Sequence, residues 1–260
     1  MLARDLAAMG SEAWISHGST MHLTAPKGSV VLVHDSDAAA VVERLRASTP
    51  RALQILAMMS WLRDHGQTAS MPNEIAAGIG SGATRGVATS EVARTLEDLG
   101  RLDFLSGPVS EASERQVPGT PVIALAGGGF ELADPWIAAM SGRRRQVAKV
   151  PGRFLALHAK NDRYEILVAW HLAIMLRINR KHGYYYRVSL RKLLQGCGID
   201  VPRRNVGRFL TAVLRALTEI EGVGSIGPDA SGKAHDDVLD SIHAFWLEPA
   251  AVALYAPAGG

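Results

Sequence analysis

In residues 203–220, RRNVGRFLTAVLRALTEI, the side chains Arg204, Arg208, Thr211 and Arg215 recur at steps of four, three and four. On a helix that spacing lines one face, and Arg203, Asn205 and Thr218 flank it. Glutamates do not alternate with these arginines, so the usual i,i+4 ion pairs are not expected along the row. A guanidinium is a planar fork of donors that fits a phosphate or the O6/N7 edge of guanine. Asparagine pairs in the same way with adenine, and a threonine hydroxyl suits a base or a phosphate. The chemistry such a face offers is recognition of a polyanion.

The other face of the same segment carries Val206, Phe209, Leu210, Val213, Leu214, Leu217 and Ile220, spaced 3, 1, 3, 1, 3 and 3. This is one buried stripe of an amphipathic helix, and each large side chain contributes about 1.5–3 kcal/mol on burial. The stripe therefore holds the helix down while the arginines face outward. A helix-turn-helix inserts the N-terminal part of its second helix into the major groove, which is where Arg203, Arg204, Asn205 and Arg208 fall. Arg191 and Lys192, on the preceding short helix, are expected to reach phosphate beside the groove. Lys233 and His235 sit at the tip of a following hairpin, and Arg143, Arg144 and Arg145 lie where they could grip DNA backbone. The plain alternative is a solvated, arginine-rich face of the kind that GC-rich coding favours.

These residues need elements to position them. Residues 12–35 alternate around HGS and PKGS, as short strands or a hairpin do. A helix is expected at 37–46 and a second at 48–66, the latter capped by Ser48 or Thr49 with Pro50 at its first position. Shorter helices follow at 70–80 and 89–100, then a hairpin around glycines at 120–132, and DPWIAAM opens another helix. The helix at 89–100 turns Glu91, Arg94, Thr95, Glu97, Asp98 and Arg101 outward, a mixed surface suited to weak DNA contact or dimerisation. In its neighbourhood only the turn with Thr84, Arg85, Thr89 and Ser90 suits a phosphate.

After a basic stretch with Pro and Gly, the order recurs: a long helix at 162–181, a strand at 184–189, a short helix at 189–199 capped by Ser189, the arginine helix, and a hairpin at 223–247 around a polar, glycine-bearing loop. Two short helices joined by a turn, packed on a third and followed by a hairpin, make a winged helix-turn-helix. The expected fold is mostly α (α+β), with two tandem winged helix-turn-helix domains. They span 1–142 and 154–260, joined by a basic linker at 143–153, and the C-terminal one is the main DNA reader.

Charge agrees with that division. Residues 1–142 hold 10 Lys/Arg and 15 Asp/Glu, whereas residues 143–215 hold 17 and 3, although the net charge of the chain is only +3. Such asymmetry points to nucleic acid or an anionic surface. The single cysteine, Cys197, excludes an internal disulfide and a cysteine-rich zinc site and fits a reducing cytoplasm. The most apolar run, residues 166–178, contains His171 and Arg177 and is shorter than the roughly 20 residues of a membrane span, so it reads as a buried helix. The first residues lack the apolar run of a signal peptide.

Enzyme signatures are missing from the sequence. There is no phosphate-binding G-x-x-x-x-G-K-[ST] loop and no H-E-x-x-H, and GGGF at 127–130 is not a dinucleotide fingerprint. Tyr184, Tyr185 and Tyr186 lack the histidine metal cluster of a nicking enzyme. His235, Asp236 and Asp237 are consecutive and do not converge on one metal. The expectation is a DNA-binding protein that is not an enzyme and uses no cofactor and no metal.

The order of elements, with YYYRVSLRKLLQGCGIDVPRRNVGRFLTAVLRAL, resembles plasmid replication initiators of the iteron-binding type. In them two winged-helix domains lie in tandem, with a short SLxxLL helix before an arginine-bearing recognition helix. Ser189, Leu190, Leu193 and Leu194 match the first and Arg203 to Arg215 the second. The resemblance implies binding to direct repeats at an origin, opening of nearby duplex, recruitment of host initiator and helicase, and a homodimer that represses its own promoter. A winged-helix transcriptional regulator that binds an operator, and a winged-helix protein-interaction module without DNA binding, are the alternatives.

Overall fold

The structure is a computed structural model that describes residues 7–10, 14–17, 20–24, 30–34, 37–80, 87–105, 120–133 and 150–252. Arg85, Arg143, Arg144 and Arg145, Thr84 and the helix expected from DPWIAAM lie outside these residues.

The fold is a mixture of helices and antiparallel sheets. After a short 3-10 turn at Ala7–Gly10 come three strands, β1 (Trp14–His17), β2 (Thr20–Thr24) and β3 (Val30–His34). They form a five-stranded antiparallel sheet with β4 (Leu102–Leu105) and β5 (Thr120–Pro121), in the order β1-β2-β3-β4-β5. The alternation at 12–35 signalled the first three. The pairing of β3 with β4 joins residues some 70 apart in the chain, Val33 to Leu102 for example, and local pattern does not reveal it.

The helix α1 runs unbroken over Ala38–Asp64, with Pro50 inside it. This corrects the expected division at 48. The Ser48 hydroxyl donates to the Arg44 carbonyl at 2.7 Å and Thr49 Oγ1 donates to the Leu45 carbonyl at 2.7 Å, so both bond back along the helix and neither caps a new one. Proline has no N–H for the Arg46 carbonyl, and Thr49 Oγ1 stands 3.4 Å from that oxygen. Burial overrides the local signal: Val41, Val42, Leu45, Thr49, Ala52, Leu53 and Leu56 are all buried, and a helix buried all round is a central one.

Next come α2 (Pro72–Gly80) and α3 (Thr89–Gly100), both where the sequence placed them. The hairpin β6 (Ile123–Ala126) and β7 (Gly129–Leu132) turns at Gly127 and Gly128, whose φ angles of +57° and +89° suit glycine. Ser70 adds an isolated bridge to Phe130, with the Ser70 N–H donating at 2.8 Å and the Phe130 N–H at 3.0 Å.

The second half begins with α4 (Gly152–Ala156), so the last residues of the expected linker are helical. Then follow α5 (Arg163–Ile178), β8 (Tyr185–Ser189), α6 (Leu190–Gly196), α7 (Val206–Glu219), β9 (Val223–Ile226), α8 (His235–Asp240) and β10 (Ile242–Leu247). The sheet order is β8-β10-β9, antiparallel throughout. The Ser189 hydroxyl accepts from the Lys192 N–H at 3.4 Å, as its capping position predicts. The expected hairpin loop at 223–247 differs from the structure, because the short helix α8 stands between its strands. The run HDDVLD buries Val238 and Leu239, which draws the chain back onto the core.

One apolar core runs through both halves. A buried polar bridge also spans them. Arg51 Nε donates to Glu91 Oε1 at 2.9 Å and its Nη1 donates to Gln54 Oε1 at 2.7 Å. Gln54 Nε2 then donates to the carbonyls of Phe154 and Leu157 at 2.8 and 2.9 Å.

Candidate nucleic-acid interface

The stripe on α7 faces inward as its spacing predicts. Phe209, Leu210, Val213 and Leu217 are buried, Ile220 just beyond the helix is buried too, and Val206 and Leu214 pack partly against the core. Tyr164 of α5 meets Phe209 edge to face, with ring centroids 5.5 Å apart. That contact and the stripe fix the roll of the helix, and the roll decides which residues look outward.

Arg203, Arg204, Asn205, Arg208, Thr211 and Arg215 are all exposed. Their arrangement departs from the expected single row. The helix starts at Val206, so Arg203, Arg204 and Asn205 form the turn before it. Asn205 lies in the left-handed region (φ 58°, ψ 33°) and its carbonyl accepts from the Phe209 N–H at 3.1 Å. Asparagine is among the few non-glycine residues that enter that region readily, and the bend it makes swings the two arginines off the helix axis. Arg208, Thr211 and Arg215 remain on the helix face. The Thr211 hydroxyl donates to the Gly207 carbonyl at 3.0 Å, which leaves it as an acceptor towards a partner. Arg215 does have a neighbouring acid: its Nε is 3.6 Å from Glu219 Oε1, one turn on. The expectation of no i,i+4 pair on this row is wrong at that position.

Arg191 requires a larger correction. Its Nε donates to Asp240 Oδ1 at 2.7 Å, and its Nη2 donates to Asp236 Oδ1 at 2.9 Å and to Asp240 Oδ2 at 3.3 Å. The guanidinium expected to meet phosphate is thus held by two carboxylates of α8. These bonds push the Arg191 pKa further up, and the one to Asp240 holds that carboxyl below its usual range. The sequence carried a signal for this clamp, since Asp236 and Asp240 are one helical turn apart and can close on one fork. Lys192, beside Arg191, is exposed, and so is Lys233 in the loop before α8. His235 opens α8 against the first turn of α7: a Cβ at Gly207 would lie 3.3 Å from His235 Nε2. Exposed Arg203, Arg204 and Arg208 therefore lie at the N-terminal end of α7, with α8 as an acidic border on one side.

On α3 the acidic surface is largely consumed within the chain. Thr95 and Asp98 are buried, contrary to the outward reading. Arg44 meets Asp98 with two parallel bonds, Nε to Oδ2 at 3.0 Å and Nη2 to Oδ1 at 2.8 Å. Glu91 holds Arg51, and Arg94, Glu97 and Arg101 are exposed.

Among the described residues no group of three or more His, Cys, Asp and Glu side chains could hold a metal ion. No helix among them is long and apolar enough to cross a membrane. Cys197 is buried, and loss of water around it pushes its thiol pKa up. No protein family, curated protein or solved structure matches the chain.

Proposed function

We propose that the chain is a sequence-specific, double-stranded DNA-binding protein built from two winged helix-turn-helix units, with α7 and the turn before it as the main reader. One observation carries this reading: Arg203, Arg204, Asn205 and Arg208 are exposed around the start of a helix whose opposite face is anchored in the core. A helix-turn-helix places these positions against base edges. The order helix, strand, helix, helix, strand, strand, with the last strand between the other two, supports a winged unit in the second half. The Ser70 bridge and the β6–β7 hairpin support a similar order in the first. Lys192, Thr211, Arg215 and Lys233 join the surface as phosphate contacts.

The resemblance of residues 184–217 to iteron-binding initiators supports a finer reading, in which the target is a set of direct repeats at a plasmid origin and the host initiator, the helicase and a second copy of the chain are partners. Footprinting on the DNA around its own gene tests this. An initiator protects a run of repeats, whereas a regulator protects an operator palindrome. For duplex binding itself, log affinity should fall with log salt by about 0.9 per phosphate neutralised. A flat response, or no duplex binding, overturns the reading.

A further inference from the structure

The outer face of the sheet β8-β10-β9 carries side chains that neither the core nor α7 uses. Residues paired across an antiparallel ladder point the same way. Tyr185, Trp246 and Gly224 therefore form one row, Arg187, Ala244 and Ile226 the next, and Ser189 and Ile242 a third. The inner rows, with Tyr186, Val188, Phe245, Leu247 and Val223, face the core. On the outer rows Tyr185 is 44%, Ile226 63% and Ile242 50% exposed, an unusual concentration of large apolar groups in contact with water.

Gly224 decides how Trp246 lies. A Cβ at Gly224 would fall inside contact distance of the indole atoms Cε2, Nε1 and Cζ2. The indole thus lies across the glycine, with its far side turned away from the sheet. Tyr185 faces the same way because it pairs with Trp246 across the ladder. Arg187 in the next row is exposed, as are Lys181 and His182 just before the strand. Two exposed carboxylates, Glu221 and Glu248, stand at the Trp246 end of the sheet, where the Glu248 N–H donates to the Gly222 carbonyl, and the cations lie towards Arg187 and Lys181.

We propose that this face binds single-stranded nucleic acid. Unpaired bases stack on Trp246 and Tyr185, and Arg187 and Lys181 meet the phosphates. Flat aromatic groups on adjacent strands, flanked by cations, are the surface on which unstacked bases settle regardless of sequence. A duplex keeps its base faces covered, so this site is separate from α7, and the inference does not need the duplex reading.

The test is fluorescence anisotropy of labelled oligo(dT) and oligo(U) with the full chain. Wild type should bind at least one of them, with affinity falling as salt rises by about 0.7 in log–log slope per phosphate. Trp246→Leu, and separately Tyr185→Leu, should weaken binding roughly five- to a hundredfold, the range that one lost base stack produces. Tyr185→Leu should keep a melting temperature close to wild type, since Tyr185 is exposed; Trp246 is half-buried across Gly224, so its variant is compared at a temperature where circular dichroism shows it folded. Arg208→Ala should leave oligonucleotide binding unchanged, and Trp246→Leu should leave duplex binding unchanged, so failure here and failure of the duplex reading are distinguishable. The ratio of dT to U affinity says whether the strand is DNA or RNA. Absence of binding to both, binding undiminished in a folded Trp246→Leu variant, or a wild-type dimer that this variant dissociates while neither oligonucleotide binds, overturns the proposal.

Discussion

Arg191, proposed from its sequence position as a phosphate contact, has its Nε and Nη2 already engaged by Asp236 and Asp240. Removing the two carboxylates together, as Asp236→Asn with Asp240→Asn, frees the guanidinium. If α6 lies against DNA backbone, that variant should bind duplex more tightly and its salt slope should steepen by about 0.9. Weaker binding at an unchanged slope would mean that the clamp serves to hold α8 in place. Glu165 shows a second residue-scale effect. Burial raises its pKa above the ordinary 4.5, against the pull of Arg153, whose Nη2 is 3.4 Å away. A carboxyl with a raised folded pKa contributes stability that is present below about 4.5 and is lost as pH rises through the raised value. Thermal melts of Glu165→Gln between pH 4 and about 7 should therefore lose less stability with rising pH than wild type does. Equal slopes would mean that Arg153 fully offsets the burial.

For α7 as an element, the two faces predict opposite outcomes. Leu210→Ala should cost about 2–5 kcal/mol in denaturant unfolding, because it opens a cavity under the helix. Arg208→Ala should stay within about 0.5 kcal/mol of wild-type stability, while specific duplex affinity falls by about 1–3 kcal/mol. Equal unfolding by both would make the arginine structural. Much of this was legible in the sequence where the signal is local. The stripe at 206–220, the Ser189 cap, the α3 boundaries and the Gly127–Gly128 turn all follow from neighbouring residues. What stayed hidden depends on distant ones. Pro50 reads as a helix start until the core around α1 is known, and β4 needs β3 to become a strand. The acids that hold Arg191 come from a helix 45 to 49 residues further on. The turn at Asn205 was also missed, because arginines at helical spacing say nothing about a single left-handed residue ahead of the helix.

The molecule as a whole resists the picture of two beads on a string. Gln54 ties α1 to α4 across 100 and 103 residues of sequence, and the apolar core is continuous. Calorimetry should therefore give one cooperative transition, with equal calorimetric and van't Hoff enthalpies. Gln54→Leu strips partners from Arg51, from the buried Phe154 carbonyl and from the part-buried Leu157 carbonyl. It should lower stability by about 1–3 kcal/mol for each group left unsatisfied. Two separate transitions in the wild type would show that the halves fold independently.

Cys197 has a practical consequence. It is the one thiol in the sequence, it is fully enclosed, and its proton is held tightly. Alkylating reagents attack the thiolate, so the native chain should be nearly silent towards maleimide dyes. A cysteine placed at Arg203 or Lys233 would then be a unique attachment point for a fluorophore or spin label, reporting from the surface around the start of α7 without any further change to the protein.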